Sequence, residues 1–129
     1  MLDKVEVYDP QADSWQRVAS MPHGLCTHTA VAMGGKIYVT GGESDAISVN
    51  SVCVYDPQAD AWTQLASMGI ARRLHASAAA GGKLYVFGGS GGEDDEDLST
   101  AEVYDPASDS WAQMTSLTSA RYNLVAAAL

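Results

Sequence analysis

Apolar and polar residues alternate through "VEVYDP", with Val5 and Val7 on one side and Glu6 and Tyr8 on the other. This period of two is that of a β-strand, and the strand stops at Asp9-Pro10 because proline offers no amide to a ladder and restrains the residue before it. Gln11, Ala12 and Asp13 make a turn, and the chain returns through Trp15, Arg17 and Val18 as a second strand. Two further apolar stretches are each split by paired glycines, Gly34-Gly35 and Gly81-Gly82. Adjacent glycines reach the positive φ values of a tight hairpin without steric cost, which predicts strands near 27–33 and 36–41. No segment sustains a helical period, and only clusters of Gly, Pro, Asn, Asp and Ser separate the strands, so the pattern predicts an all-β chain.

The strands recur. "VEVYDPQADSW" at 5–15 returns as "VCVYDPQADAW" at 52–62 and "AEVYDPASDSW" at 101–111, and "HTAVAMGGKIYVTGG" at 28–42 returns as "HASAAAGGKLYVFGG" at 75–89. Tyr8, Tyr55 and Tyr104 stand 47 and then 49 residues apart, a period that signals stacked repeats. Each repeat supplies four short strands, named A to D in chain order. Strands such as "KIYV" and "KLYV" carry bulky groups on both faces, so each sheet is expected between neighbours of its own kind. Trp15, Trp62 and Trp111 occupy one recurrent position, and each is expected to fill a seam between sheets.

A period near 50, a Gly-Gly after a "KIYV"-like strand and a Tyr followed by a Trp at fixed spacing resemble the kelch repeat. The resemblance covers nearly the whole chain and implies a β-propeller of four-stranded antiparallel blades. On that reading residues 4–18 form strands C and D of a first blade, 27–64 a second blade, 74–113 a third, and 121–129 strand A of a next one. Eleven strands are fewer than the roughly 4–8 full blades of a closed propeller. The expectation is a propeller fragment with an incomplete ring, able to self-associate through open blade edges.

Charge narrows the partners. With 16 acidic and 7 basic residues among 129, the formal charge is −9, which disfavours nucleic acid and anionic membrane surfaces and favours a neutral or basic protein. "MLDKVEVYDP" lacks an apolar signal core, and no window approaches the ~18 apolar residues of a membrane helix. An intracellular, cytoplasmic location is expected, and Cys26 and Cys53, placed about two strand spacings apart, read as free thiols.

Candidate chemistry is sparse. His28 and His75 start successive A strands, where the repeat itself demands the same environment; a zinc or copper site needs three or four converging ligands, and no such spacing occurs. No cofactor is expected. Nucleophile elbows, phosphate-cradling loops and spaced catalytic carboxylates are missing, so the chain is not expected to be an enzyme. Glu93, Asp94, Asp95, Glu96 and Asp97 lie in the B–C loop of the third blade and lack the alternating order of a calcium loop; they read as a solvated loop or as a contact for a basic partner. Arg72 and Arg121 each follow a closed strand D by a fixed interval. They suit two roles, satisfying carbonyls at a blade junction or touching a ligand.

In an up-and-down sheet the B–C loops and D–A connections share one end. Kelch propellers that resemble this chain bind partner peptides on that face. The resemblance therefore implies a protein-interaction module contacting its partner through Ser44, Asp45, Arg72, Arg73, Ser90, Glu93, Asp94, Arg121 and Tyr122, as in the substrate-recognition half of a ubiquitin-ligase adaptor. A fragment of a copper-oxidase or sugar-isomerase propeller, and a purely structural array, are the alternatives.

Overall fold

The computed structural model describes residues 1–129 and contains fifteen strands and no helix. In chain order they are β1 (Val5–Asp9), β2 (Ser14–Val18), β3 (Thr29–Met33), β4 (Lys36–Thr40), β5 (Glu43–Ser44), β6 (Ile47–Ser48), β7 (Val52–Asp56) and β8 (Ala61–Leu65). There follow β9 (Arg72–Arg73), β10 (Ala76–Ala80), β11 (Lys83–Phe87), β12 (Ser90–Gly91), β13 (Glu96–Asp97), β14 (Ala101–Asp105) and β15 (Ser110–Met114). Two four-stranded antiparallel sheets, β3-β4-β7-β8 and β10-β11-β14-β15, are complete blades, and the β1-β2 hairpin precedes them. The fold is a partial kelch-type propeller that does not close into a ring.

Ten of the eleven expected strands are formed. Residues 121–129 make no ladder, and Val125 and Leu129 are fully exposed. The reason is local: a strand is held by a ladder of hydrogen bonds, and this segment's backbone bonds stop at Arg121 and Asn123, which pair with Leu98, Gly89 and Leu74 rather than with one neighbouring strand. Pairing that sequence periodicity does not announce appears instead in the loops, where β12 joins β13 on one side and β9 on the other.

Two apolar seams hold the array together. Met21, Leu25, Val39 and Cys53 are buried between the hairpin and the second blade, with Val5, Ile37 and Trp62 packed around them. Val52, Met68 and Val86 fill the next seam, with Leu65 and Trp111 against them. Full burial of each valine contributes about 1.5–3 kcal/mol. Burial also pushes the Cys53 thiol up to about 11, and both cysteines are free.

At the outer rim a polar clamp locks each seam. The Tyr55 hydroxyl donates to Asp60 Oδ1 at 2.8 Å, the same oxygen accepts the Ala19 amide at 2.8 Å, and Trp62 donates its indole N–H to the Ala19 carbonyl at 2.8 Å. One blade thus satisfies both backbone groups of a residue in the blade before it. The second seam repeats the device: Tyr104 donates to Asp109, which accepts the Ala66 amide at 3.0 Å, while Trp111 donates to the Ala66 carbonyl at 2.9 Å. These amide donors hold the Asp60 and Asp109 carboxyls below the usual carboxylate range.

Trp15 does not fill a seam; it is 68% exposed, because no blade stands on that side of the hairpin. Its clamp is nonetheless preformed. Tyr8 donates to Asp13 at 2.6 Å, and the Tyr8 and Trp15 rings meet at 5.2 Å, close to the 5.1 and 5.2 Å of the two occupied clamps.

Candidate partner-binding face

The B–C loops and D–A connections meet at one end of the blades. Gly42 donates to the Arg72 carbonyl, Arg72 to Val49 and Gly92 to Ala71, so the D–A connection 69–73 is stitched to the loops on both sides of it. Gly89 has φ +96, and a Cβ there would stand 2.6 Å from the Arg73 carbonyl. Only glycine permits that approach, which explains the Gly-Gly ending each strand B.

Arg72 is wholly buried, which corrects its expected role as a partner contact. Its guanidinium donates to the Gly88 carbonyl at 2.7 Å, the Thr100 carbonyl at 3.2 Å, and Glu102 Oε2 at 2.8 Å. Of the two roles open to it, the structure assigns the junction. Glu102 completes the knot by accepting the amides of Gly69 at 2.6 Å and Ile70 at 3.3 Å. At the first seam the equivalent residues are Pro22, Leu25 and Cys53. Proline has no amide to satisfy, so that seam is apolar where the second is ionic.

Ser90 is also corrected: it is 8% exposed, held in β12 between Arg73 and Asp97. Arg73 is a tie between loops, reaching Glu43 Oε2 of the second blade at 3.3 Å and Asp95 Oδ2 of the third at 2.7 Å. The remaining expected residues reach the surface to different degrees. Ser44 is half-buried, while Asp45, Glu93, Asp94, Arg121 and Tyr122 are exposed. Arg121 bonds Ser119 at 2.7 Å, and its backbone amide donates to Leu98.

Between these loops lies a cleft of about 530 Å³ lined by Asn50, Gly69, Ile70, Ala71, Gly92, Glu93 and Leu98. Of these, only Glu93 belongs to the residues expected from the sequence. Ile47, which opens β6 in the same loop as Asn50, is 67% exposed and apolar. A groove of about 550 Å³ on the rim side of the second seam shares Gly69 and Ile70 with it.

Deeper in the blades, the two histidines serve packing. His75 Nε2 lies 2.9 Å from Thr40 Oγ1 and 3.1 Å from Thr29 Oγ1, linking one strand A to the preceding blade. Burial first, then the charge of Arg72 and the neighbouring His28, lowers the His75 imidazole to about 3. No three His, Cys, Asp or Glu side chains converge as a metal-holding set.

The family model of the KLHDC2/KLHL20/DRC7 Kelch-repeats domain matches residues 1–128. No curated protein matches the chain. Kelch-repeat domains generally bind protein partners and serve as interaction modules rather than enzymes. With its four-stranded blades, paired glycines and Tyr–Trp clamps, and with this match over nearly its whole length, the chain belongs to the kelch-repeat family.

Proposed function

We propose that the array binds a basic peptide segment of a partner protein in the cleft on its B–C/D–A face. The observation that carries this reading is the cleft itself: an apolar floor of Ile70 and Leu98 with the Glu93 carboxylate at its edge. Asp94 adds a second exposed carboxylate, and Asp45 and Ile47, on the β5-β6 hairpin at the same end of the blades, add a third carboxylate and an exposed apolar side chain. A cationic side chain of the peptide gains a charged hydrogen bond at such an edge, while its apolar neighbours bury against Ile70 and Leu98. The net charge of −9 favours the encounter.

Substrate recognition for a ubiquitin ligase, in the cytoplasm, is the cellular role we attach to this binding; it rests on the resemblance to kelch adaptors. The test is fluorescence anisotropy with an array of Lys/Arg-containing peptides. The paired change Glu93→Lys with Asp94→Lys should weaken the best binder by about tenfold or more. Lys36→Glu and Lys83→Glu, on the opposite turns, should leave it unchanged. Loss of binding through the latter pair alone places the partner on the Gly-Gly face.

A further inference from the structure

We infer that the two open ends of this array are complementary, and that the β1-β2 face of one copy docks on the surface after β15 of a second copy. The two seams inside the chain are the template. In each, the later blade presents a Tyr–Asp–Trp clamp to the amide and carbonyl of one residue, Ala19 or Ala66, that follows strand D of the earlier blade. Carrying the repeat forward by its own spacing, the next such residue is Thr115, which is exposed. The clamp without an occupant is Tyr8, Asp13 and Trp15, already in the geometry of the other two.

A second set of residues points to the same pairing. The ionic seam joins Arg72 to Glu102, and Glu102 also takes the amides of Gly69 and Ile70. By register the counterpart of Glu102 at the head of the array is Glu6, and the counterparts of Arg72 and Gly69 at its tail are Arg121 and Thr118. Had the head carried cysteine, as at position 53, or the tail leucine and proline, as at 25 and 22, the ends would mismatch in charge. Instead both free ends bear the ionic set. Glu6 now makes only a 3.7 Å exposed contact with Arg17, and Arg121 contacts no carboxylate. The contact is heterologous, clamp to edge, so it builds head-to-tail pairs that close if the rotation permits.

Sedimentation equilibrium of the 129-residue chain over a concentration series tests this. The chain should associate, and Glu6→Arg or Arg121→Glu alone should weaken association by about a hundredfold, the effect of placing like charges at an interface. Both changes in one chain should restore it to within about tenfold of the original. Trp15→Ala should abolish it. A monomer at every concentration, association indifferent to both reversals, or a double variant weaker than either single one overturns the proposal. None of these outcomes depends on peptide binding in the loop-face cleft.

Discussion

Trp62 donates its indole N–H to the carbonyl of Ala19, 43 residues earlier, at 2.8 Å. Ala19 returns its amide to Asp60 of the same clamp. The strongest aromatic of each repeat therefore acts as a fastener to the preceding blade, and its worth depends on whether a blade is there.

Removing the fastener should matter only where it is closed. Trp62→Ala loses a large packed ring and a half-buried hydrogen bond, for which about 3–5 kcal/mol is expected. Trp15→Ala, at the exposed clamp, should cost the monomer under about 0.5 kcal/mol. Urea denaturation of dilute samples measures both, and equal losses would remove the seam assignment. Trp62→Phe, which keeps most of the ring and loses the donor, should fall between them.

The chain contains its own control for the buried ion pair. Arg72→Leu alone strands Glu102 in the seam and should cost about 3–5 kcal/mol. Importing the whole apolar set of the first seam, Gly69→Pro with Arg72→Leu and Glu102→Cys, should recover more than half of that loss, because the triple change also deletes the Gly69 amide that needs Glu102. Arg72→Leu with Glu102→Cys should recover less. If the double variant is as stable as the triple, the proline accounts for nothing.

Acid should act through His75. Its imidazole is lowered to about 3 in the folded chain, whereas an unfolded histidine titrates near 6.5. Above about pH 6.5 both states are neutral and the contribution to stability is complete; as pH falls toward 3 the unfolded state alone gains the proton, at up to ~1.4 kcal/mol per pH unit. His75→Gln should be less stable at neutral pH and show a shallower decline on acidification. An unchanged slope in this variant would assign the acid limb to other groups.

The two thiols should react at very different rates. Cys53 is buried and its thiol is held at about 11, so almost none is thiolate at neutral pH. Cys26, partly exposed beside Glu43, should take a maleimide readily, and Cys53 only after denaturant is added. Simultaneous labelling of both in the native state would mean that the first seam opens freely.

The contrast between Trp62 and Trp15 shows what a sequence of repeats conveys. Alternation, paired glycines and the Tyr–Trp interval were enough to place ten strands, since each depends on neighbours close in sequence. Contacts between blades were harder to read. Nothing near Arg72 announces Glu102, 30 residues on, except that Pro22, Leu25 and Cys53 change together at the equivalent points of the earlier seam. The cleft was less legible still, because Asn50, Ile70 and Leu98 come from three separate connections and no single segment carries its signal. Ser90 was misplaced for a related reason: its loop looked free, but β12 is paired on both edges.

Mapping amide shifts by NMR as a basic peptide is titrated into the chain tests the binding reading most directly. Perturbations should be confined to the loop end, at Ile47, Asn50, Ile70, Glu93 and Leu98, with the amides of Gly34, Gly35, Gly81 and Gly82 unmoved. Shifts centred on those four glycines, at the opposite turns, would contradict it.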